Sequence, residues 1–152
     1  MTKVLISYYS KSGNTKKMAV RIVAALKESG LSADLKNVDE TAPADLLLYD
    51  LIVIGSPVYY GTMAWPVKKL LDESVKHHGK LKGKVGGAFT SSGNLAGGNE
   101  TTVLDILKSL LIHGMISTSP WLFRRDVIKK EFFFDCDPRK GSLHERDGKT
   151  SS

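Results

Sequence analysis

Apolar runs of strand length alternate with stretches of helical spacing from Lys3 to Ser119. Lys3 to Tyr9 is β-branched and aromatic, and apolar enough to be buried on both faces. From Asn14 to Ser29 the period changes. Met18, Ile22, Ala25 and Leu26 share one stripe with lysines opposite, which predicts an amphipathic helix that Gly30 stops. Ser32 to Val38 alternates, Ala33, Leu35 and Asn37 against Asp34, Lys36 and Val38, as a partly exposed edge strand does. A short segment, Pro43 to Tyr49, leads to a second buried strand, Leu51 to Gly55. Trp65 to His77 is spaced as a helix, with Pro66 in the first turn, where a missing N–H costs nothing. Lys84 to Thr90 is a further central strand, in which Gly86 and Gly87 allow a helix to approach closely. Asn99 to His113 is a strongly apolar helix (Val103, Ile106, Leu107, Leu110, Leu111), and Met115 to Ser119 is a fifth strand.

Buried strands alternating with helices over short connections predict an α/β fold, a parallel sheet with helices on both faces. Doubly wound sheets place their ligand beyond the carboxyl ends of the strands, so the loops there decide the chemistry. Three stand out. The first is Ser10-Lys11-Ser12-Gly13-Asn14-Thr15, where hydroxyls and the N–H groups opening a helix converge, a phosphate-binding arrangement. Neither G-x-G-x-x-G nor a Walker A sequence is present; Gly79 to Lys84 lacks the spacing and the terminal hydroxyl. The second loop, Gly55 to Met63, holds Tyr59, Tyr60 and Gly61, which suit a flat heterocycle. The third, Thr90 to Glu100, carries polar side chains among glycines that would line its rim. Singly, the loops also read as a plainly capped helix, as filler tyrosines and as a polar connection.

Taken together, these loops resemble those of the flavodoxin-like family. S-x-S-G-N-T is similar to its FMN-phosphate loop, and SPVYYGTM to its isoalloxazine-contacting loop. Gly83 to Met115 resembles the WrbA-type NAD(P)H:quinone oxidoreductases in particular. The resemblance covers residues 3 to about 117. It implies a five-stranded sheet in the order 2-1-3-4-5, with a flavodoxin-like FMN-binding domain over 1–118. Ser10, Lys11, Ser12, Gly13, Asn14 and Thr15 would hold the phosphate. Pro57, Val58, Tyr59, Tyr60 and Gly61 would meet the ring; Ser91, Ser92, Gly93, Asn94, Gly97 and Gly98 would lie beside the ring and ribityl chain. The family's fifth helix and its histidine-tyrosine-glycine segment have no counterpart here. Residues 119–152 instead read as a divergent tail, partly disordered, in which Phe132-Phe133-Phe134 precedes a polar stretch. A sheet short of its last helix would expose apolar surface, so a homo-oligomer is expected.

Composition narrows the function. The chain's 152 residues fit one domain, and a single cysteine, Cys136, allows no internal disulfide, which places the chain in a reducing, cytoplasmic compartment. No apolar run approaches the roughly 18 residues that span a bilayer, so no membrane partner is expected. The net charge is +6, but the excess is spread along the chain, without the dense basic block of a nucleic-acid arm. His77 and His78 among lysines read as a solvated basic face, His113 as a capping or packing residue, and no metal site is expected.

Three functions remain open. In the first, the chain is an enzyme in which FMN takes a hydride from NAD(P)H and passes two electrons to a quinone in ping-pong steps, with no side chain assigned as catalytic. In the second it is a flavodoxin-type carrier serving a redox partner protein, a class that tends to be acidic. The third is a flavin fold without cofactor. The absence of acidic residues from Pro57 to Met63 favours the enzyme.

Overall fold

The structure, a computed structural model, describes residues 2–94 and 97–117. The end of the expected fifth strand, the 118/119 boundary and the tail with its phenylalanine trio lie outside the described residues.

The chain runs β1 (Lys3–Tyr8), α1 (Asn14–Glu28), β2 (Ser32–Asn37), β3 (Leu51–Tyr59), β4 (Thr62–Met63), α2 (Trp65–Glu73), β5 (Val85–Ser91), α3 (Asn99–Ile112) and β6 (Ile116–Ser117). The sheet has the order β2-β1-β3-β5-β6, all parallel, with β4 added antiparallel to β3. Without β4 this is the expected 2-1-3-4-5 order, with helices on both faces.

The pleat sends alternate residues to opposite sides, so each central strand feeds two cores. Val4, Ile6, Val53 and Phe89 pack with Ala19, Val23 and Leu26 of α1. Leu5, Ile52, Ile54 and Ala88 pack with Val67, Leu70 and Leu71 of α2 and Ile106 and Leu110 of α3. Leu5, Ile6, Ile52 and Ile54 are completely buried, each stabilising the fold by about 1.5–3 kcal/mol relative to exposure. Gly86 serves the role expected of it: a Cβ there would lie 3.0 Å from Leu110 Cδ1, so α3 sits directly on β5.

Two elements differ from the sequence reading. The strand expected to end at Gly55 continues to Tyr59, because the chain turns back and pairs Val58 with Met63 and Tyr59 with Thr62. The helix expected through His77 is α-helical only to Glu73 and tightens to a 3-10 turn over Ser74–His77. There the buried Ser74 hydroxyl lies 2.6 Å from the Leu71 carbonyl. Pro43–Leu48 is a 3-10 segment that buries Leu46. No helix among the described residues is long and apolar enough to cross a membrane.

Candidate functional site

At the carboxyl end of β1 the chain crosses to β3, Tyr9 N–H donating to the Gly55 carbonyl at 3.0 Å. Gly13 N–H then donates to Ser10 Oγ at 3.1 Å, which folds the loop back before α1 begins. Gly13 occupies the N-cap position with φ 90, and no side chain caps the helix. Nothing lies within 4 Å of where a Cβ on Gly13 would stand. The start of α1 is uncapped, and Lys11, Ser12, Asn14, Lys16 and Lys17 on either side of Gly13 are exposed. The positive end of the helix dipole and the lysines together favour an anion there. Thr15 faces inward: it is buried, and its hydroxyl lies 2.8 Å from Ser91 Oγ at the end of β5. Its contribution to an anion is thus a backbone N–H, while its side chain ties the first loop to the third.

The second loop is the β3–β4 hairpin. Tyr60 (φ 50) and Gly61 (φ 80) are both left-handed, the conformation that a two-residue hairpin turn with the sheet's own twist requires. For a tyrosine that conformation costs about 1–2 kcal/mol, and Tyr60 is nevertheless fully exposed. A strained aromatic held out in water is a feature of functional loops. Tyr59 is 40% exposed beside it, with Pro57 and Val58 half-buried behind. Ser56 braces the base of the hairpin, accepting from Ala64 N–H at 2.9 Å and donating to the Pro57 carbonyl at 2.8 Å.

The third loop is organised by Asn99, the first residue of α3. Its side-chain oxygen accepts from Thr90 Oγ1 at 3.2 Å, and its Nδ2 donates to Ser92 Oγ at 2.9 Å. Ser92 Oγ in turn donates to the Asn94 carbonyl at 2.7 Å, leaving Gly93, Asn94 and Gly97 on the exposed rim. Gly98 (φ 99) is the second left-handed N-cap glycine, and a Cβ on it would stand 2.6 Å from Gly61 Cα. The second and third loops are therefore in backbone contact. Among the described residues, the three loops read from the sequence meet at one edge of the sheet.

Ser56, Thr62 and Asn99 lie in the loops read from the sequence without being assigned to the site, and Thr101 and Asp105 lie beyond those loops. Thr101 Oγ1 lies 2.5 Å from the Gly61 carbonyl and 3.0 Å from that of Gly98. Thr62 Oγ1 donates to Asp105 Oδ2 at 2.8 Å, and Lys108 Nζ lies 2.7 Å from Asp105 Oδ1. Lys108 first, then Thr62, hold the Asp105 carboxyl below its ordinary range. The signal available was the spacing: Thr101 and Asp105 are four apart, on one face of the helix.

The histidines belong elsewhere. His113 lies at the far end of α3, buried, with Nε2 2.8 Å from Ser74 Oγ. Burial first, then His78 and His77, hold its imidazole below the ordinary histidine range. No cluster among the described residues is suited to a metal ion. An open groove of about 680 Å³ between α2 and α3 runs from Thr62 to His113.

The comparisons with known proteins agree with this fold. A family model described as a flavodoxin domain matches residues 5–111. An "NAD(P)H dehydrogenase (quinone)" of Gluconacetobacter diazotrophicus is 37% identical over 147 residues, covering 82% of this chain and 74% of that protein. A protein named "Flavodoxin" from Aquifex aeolicus is 37% identical over 118 residues, covering 76% of this chain and 64% of that one. The solved structure of a WrbA-like flavodoxin from Agrobacterium tumefaciens superposes with a TM-score of 0.67 at 28% identity, covering 76% of each chain.

Proposed function

The chain belongs to the flavodoxin-domain family, and on that premise we propose that it binds FMN across the three loops and reduces quinones with NAD(P)H in alternating two-electron steps. The observation that carries the proposal is the joining of the loops. A hydroxyl pair ties the first to the third, and a backbone contact with a threonine hydrogen bond ties the third to the second. An uncapped helix start, an exposed aromatic tip and a polar rim are thereby joined at the carboxyl end of the sheet.

The residues present fit the cofactor. The uncapped start of α1 beyond Gly13, with Ser10 and Ser12, offers donors to a phosphate, and Lys11, Lys16 and Lys17 add positive charge. Tyr59 and Tyr60 offer aromatic faces to a flat ring system, with the backbone of Pro57 to Gly61 at its edge. Ser91, Ser92 and Asn94 supply short polar groups at the rim with open space beside Gly93, while Gly97 and Gly98 let the backbone close up against Asn94 and Gly61. Bound FMN would supply the redox chemistry, and the protein supplies binding, orientation and electrostatics. The hairpin carries no carboxylate from Pro57 to Met63, and Asp105 beside it is paired with Lys108. The residues beside the hairpin would thus place little negative charge against a bound flavin, which suits two-electron chemistry. Relatives named NAD(P)H dehydrogenase (quinone) support the same reading.

Anaerobic addition of NAD(P)H to the FMN-loaded chain is expected to bleach the flavin band, and p-benzoquinone to restore it through repeated turnover. A chain that takes up no FMN overturns the proposal. A chain bleached by dithionite but not by NAD(P)H would instead be an electron carrier, like the Aquifex relative's name.

A further inference from the structure

We propose that Thr101 and Asp105 are positioning residues that clamp the ring-contacting hairpin onto α3, so that α3, as much as the hairpin's own turn, sets where Tyr59, Tyr60 and the Gly61 backbone stand. This rests on the FMN reading given above.

The geometry makes the case in three parts. The hairpin is short: β4 is two residues long, and the turn places a tyrosine in a left-handed conformation. Such a conformation persists only where the surroundings over-determine it. The surroundings are supplied by α3. Thr101 Oγ1 reaches the Gly61 carbonyl at 2.5 Å, and one helical turn later Asp105 accepts from Thr62 at 2.8 Å. These two anchors grip consecutive residues of the hairpin from one face of one helix. Gly98 brings the backbones together, because only a residue without a Cβ can stand where its Cβ would meet Gly61 Cα at 2.6 Å. Asp105 is itself held by Lys108, so the second anchor is oriented from the outside.

The clamp also decides which backbone groups the hairpin offers. With its carbonyl drawn toward Thr101, Gly61 is not free to turn that oxygen outward. The exposed tyrosine next to it is displayed from a fixed base. Losing one such hydrogen bond shifts an equilibrium by up to about tenfold.

The experiment compares Thr101→Val, which keeps the shape and removes the hydroxyl, with Thr101→Ser, which keeps the hydroxyl. FMN is titrated into each apo-protein by quenching of its fluorescence, and apo-protein melting is recorded alongside. The carbonyl carbon shift of Gly61, read by NMR in the absence of FMN, reports the hydrogen bond directly. The expected result is an FMN Kd raised roughly five- to tenfold in T101V and restored in T101S, with an upfield Gly61 carbonyl shift confined to T101V. Asp105→Ala is expected to weaken FMN by a similar factor through Thr62. If the wild type binds FMN and T101V binds it equally well, the clamp proposal fails alone. If T101S is as weak as T101V, methyl packing and not the hydroxyl is responsible, and the proposal also fails. If the wild type binds no FMN, the functional reading fails and this one with it.

Discussion

The helices α1 and α3 begin alike and are used differently. Each follows a parallel strand, each has a left-handed glycine at its N-cap, and neither glycine is replaced by a capping side chain. Yet the space behind Gly13 is empty, whereas the space behind Gly98 is filled by the backbone of Gly61 and by Val58. One helix start is left open for a ligand; the other is closed by a second piece of the same protein. The same local signature therefore does not carry the same role. What distinguishes the two is the chain brought opposite by the sheet order, β3 with its hairpin beside β5. An uncapped first turn with exposed lysines, preceded by Ser10 and Ser12, suits an anion. A first turn whose threonine meets a carbonyl becomes a structural joint.

Breaking the closed start has the largest expected effect. Gly98→Ala places a methyl into backbone that cannot yield cheaply and forces an L-residue into a left-handed conformation. Overpacking and strain together cost about 2–4 kcal/mol, a fall in Tm of roughly 5–15 °C for a chain of this size. FMN affinity should fall with it as the hairpin is pushed from α3. Calorimetry of the apo-protein checks this, and a G98A melt within about one degree of wild type would show that the two loops are not in contact.

Breaking the open start should separate stability from binding. In Gly13→Ala the strain is of the same kind, about 1–2 kcal/mol, but no atom stands in the way of the methyl. The methyl enters the space an anion would occupy, so FMN binding should suffer more than the melt does. Titration with FMN against riboflavin, which lacks the phosphate, gives the discriminating result: G13A should weaken FMN and leave riboflavin nearly unchanged. Equal loss of both would mean that the glycine only shapes the loop.

How far the sequence reached follows the same division. The parallel sheet with helices on both faces and the meeting of three loops were legible, because periodicity and parallel crossovers leave few topologies; the strand order came from the resemblance of the loops to a known family. The hairpin was not. Gly55 and Pro57 interrupt the apolar pattern and read as a strand's end, and Tyr60-Gly61 is not one of the dipeptides that announce a two-residue turn. The residues at the tips, Ser10 to Thr15 and Pro57 to Gly61, were visible by type. The residues that join the loops were not, because Thr15–Ser91 and Thr101–Gly61 depend on which way a hydroxyl faces. Neither composition nor spacing encodes that direction until the backbones are set.

The joint between the open start and β5 can be weighed next. Thr15→Val and Ser91→Ala each remove one side of a 2.8 Å hydroxyl pair. Each should cost about 1 kcal/mol, with a coupling energy of about 0.5–1.5 kcal/mol in the double-mutant cycle. Additive losses would show that the first and third loops are held together by other contacts.

The far end of α3 gives the smallest effect and the last contrast. A helix C-terminus favours a cation, yet at His113 burial and the neighbouring His78 and His77 outweigh the dipole and lower its pKa below 6.5. The unfolded chain therefore binds the proton more readily than the folded one. Stability from this residue is complete above about pH 6.5, the unfolded value, and is lost as pH falls from there through the folded pKa. Thermal melts from pH 7.5 to 5 should show the wild type losing stability toward acid, and His113→Gln losing less. The two proteins share every other side chain, so the difference between the two profiles isolates His113. Parallel profiles would mean that its imidazole is as easily protonated inside the fold as outside.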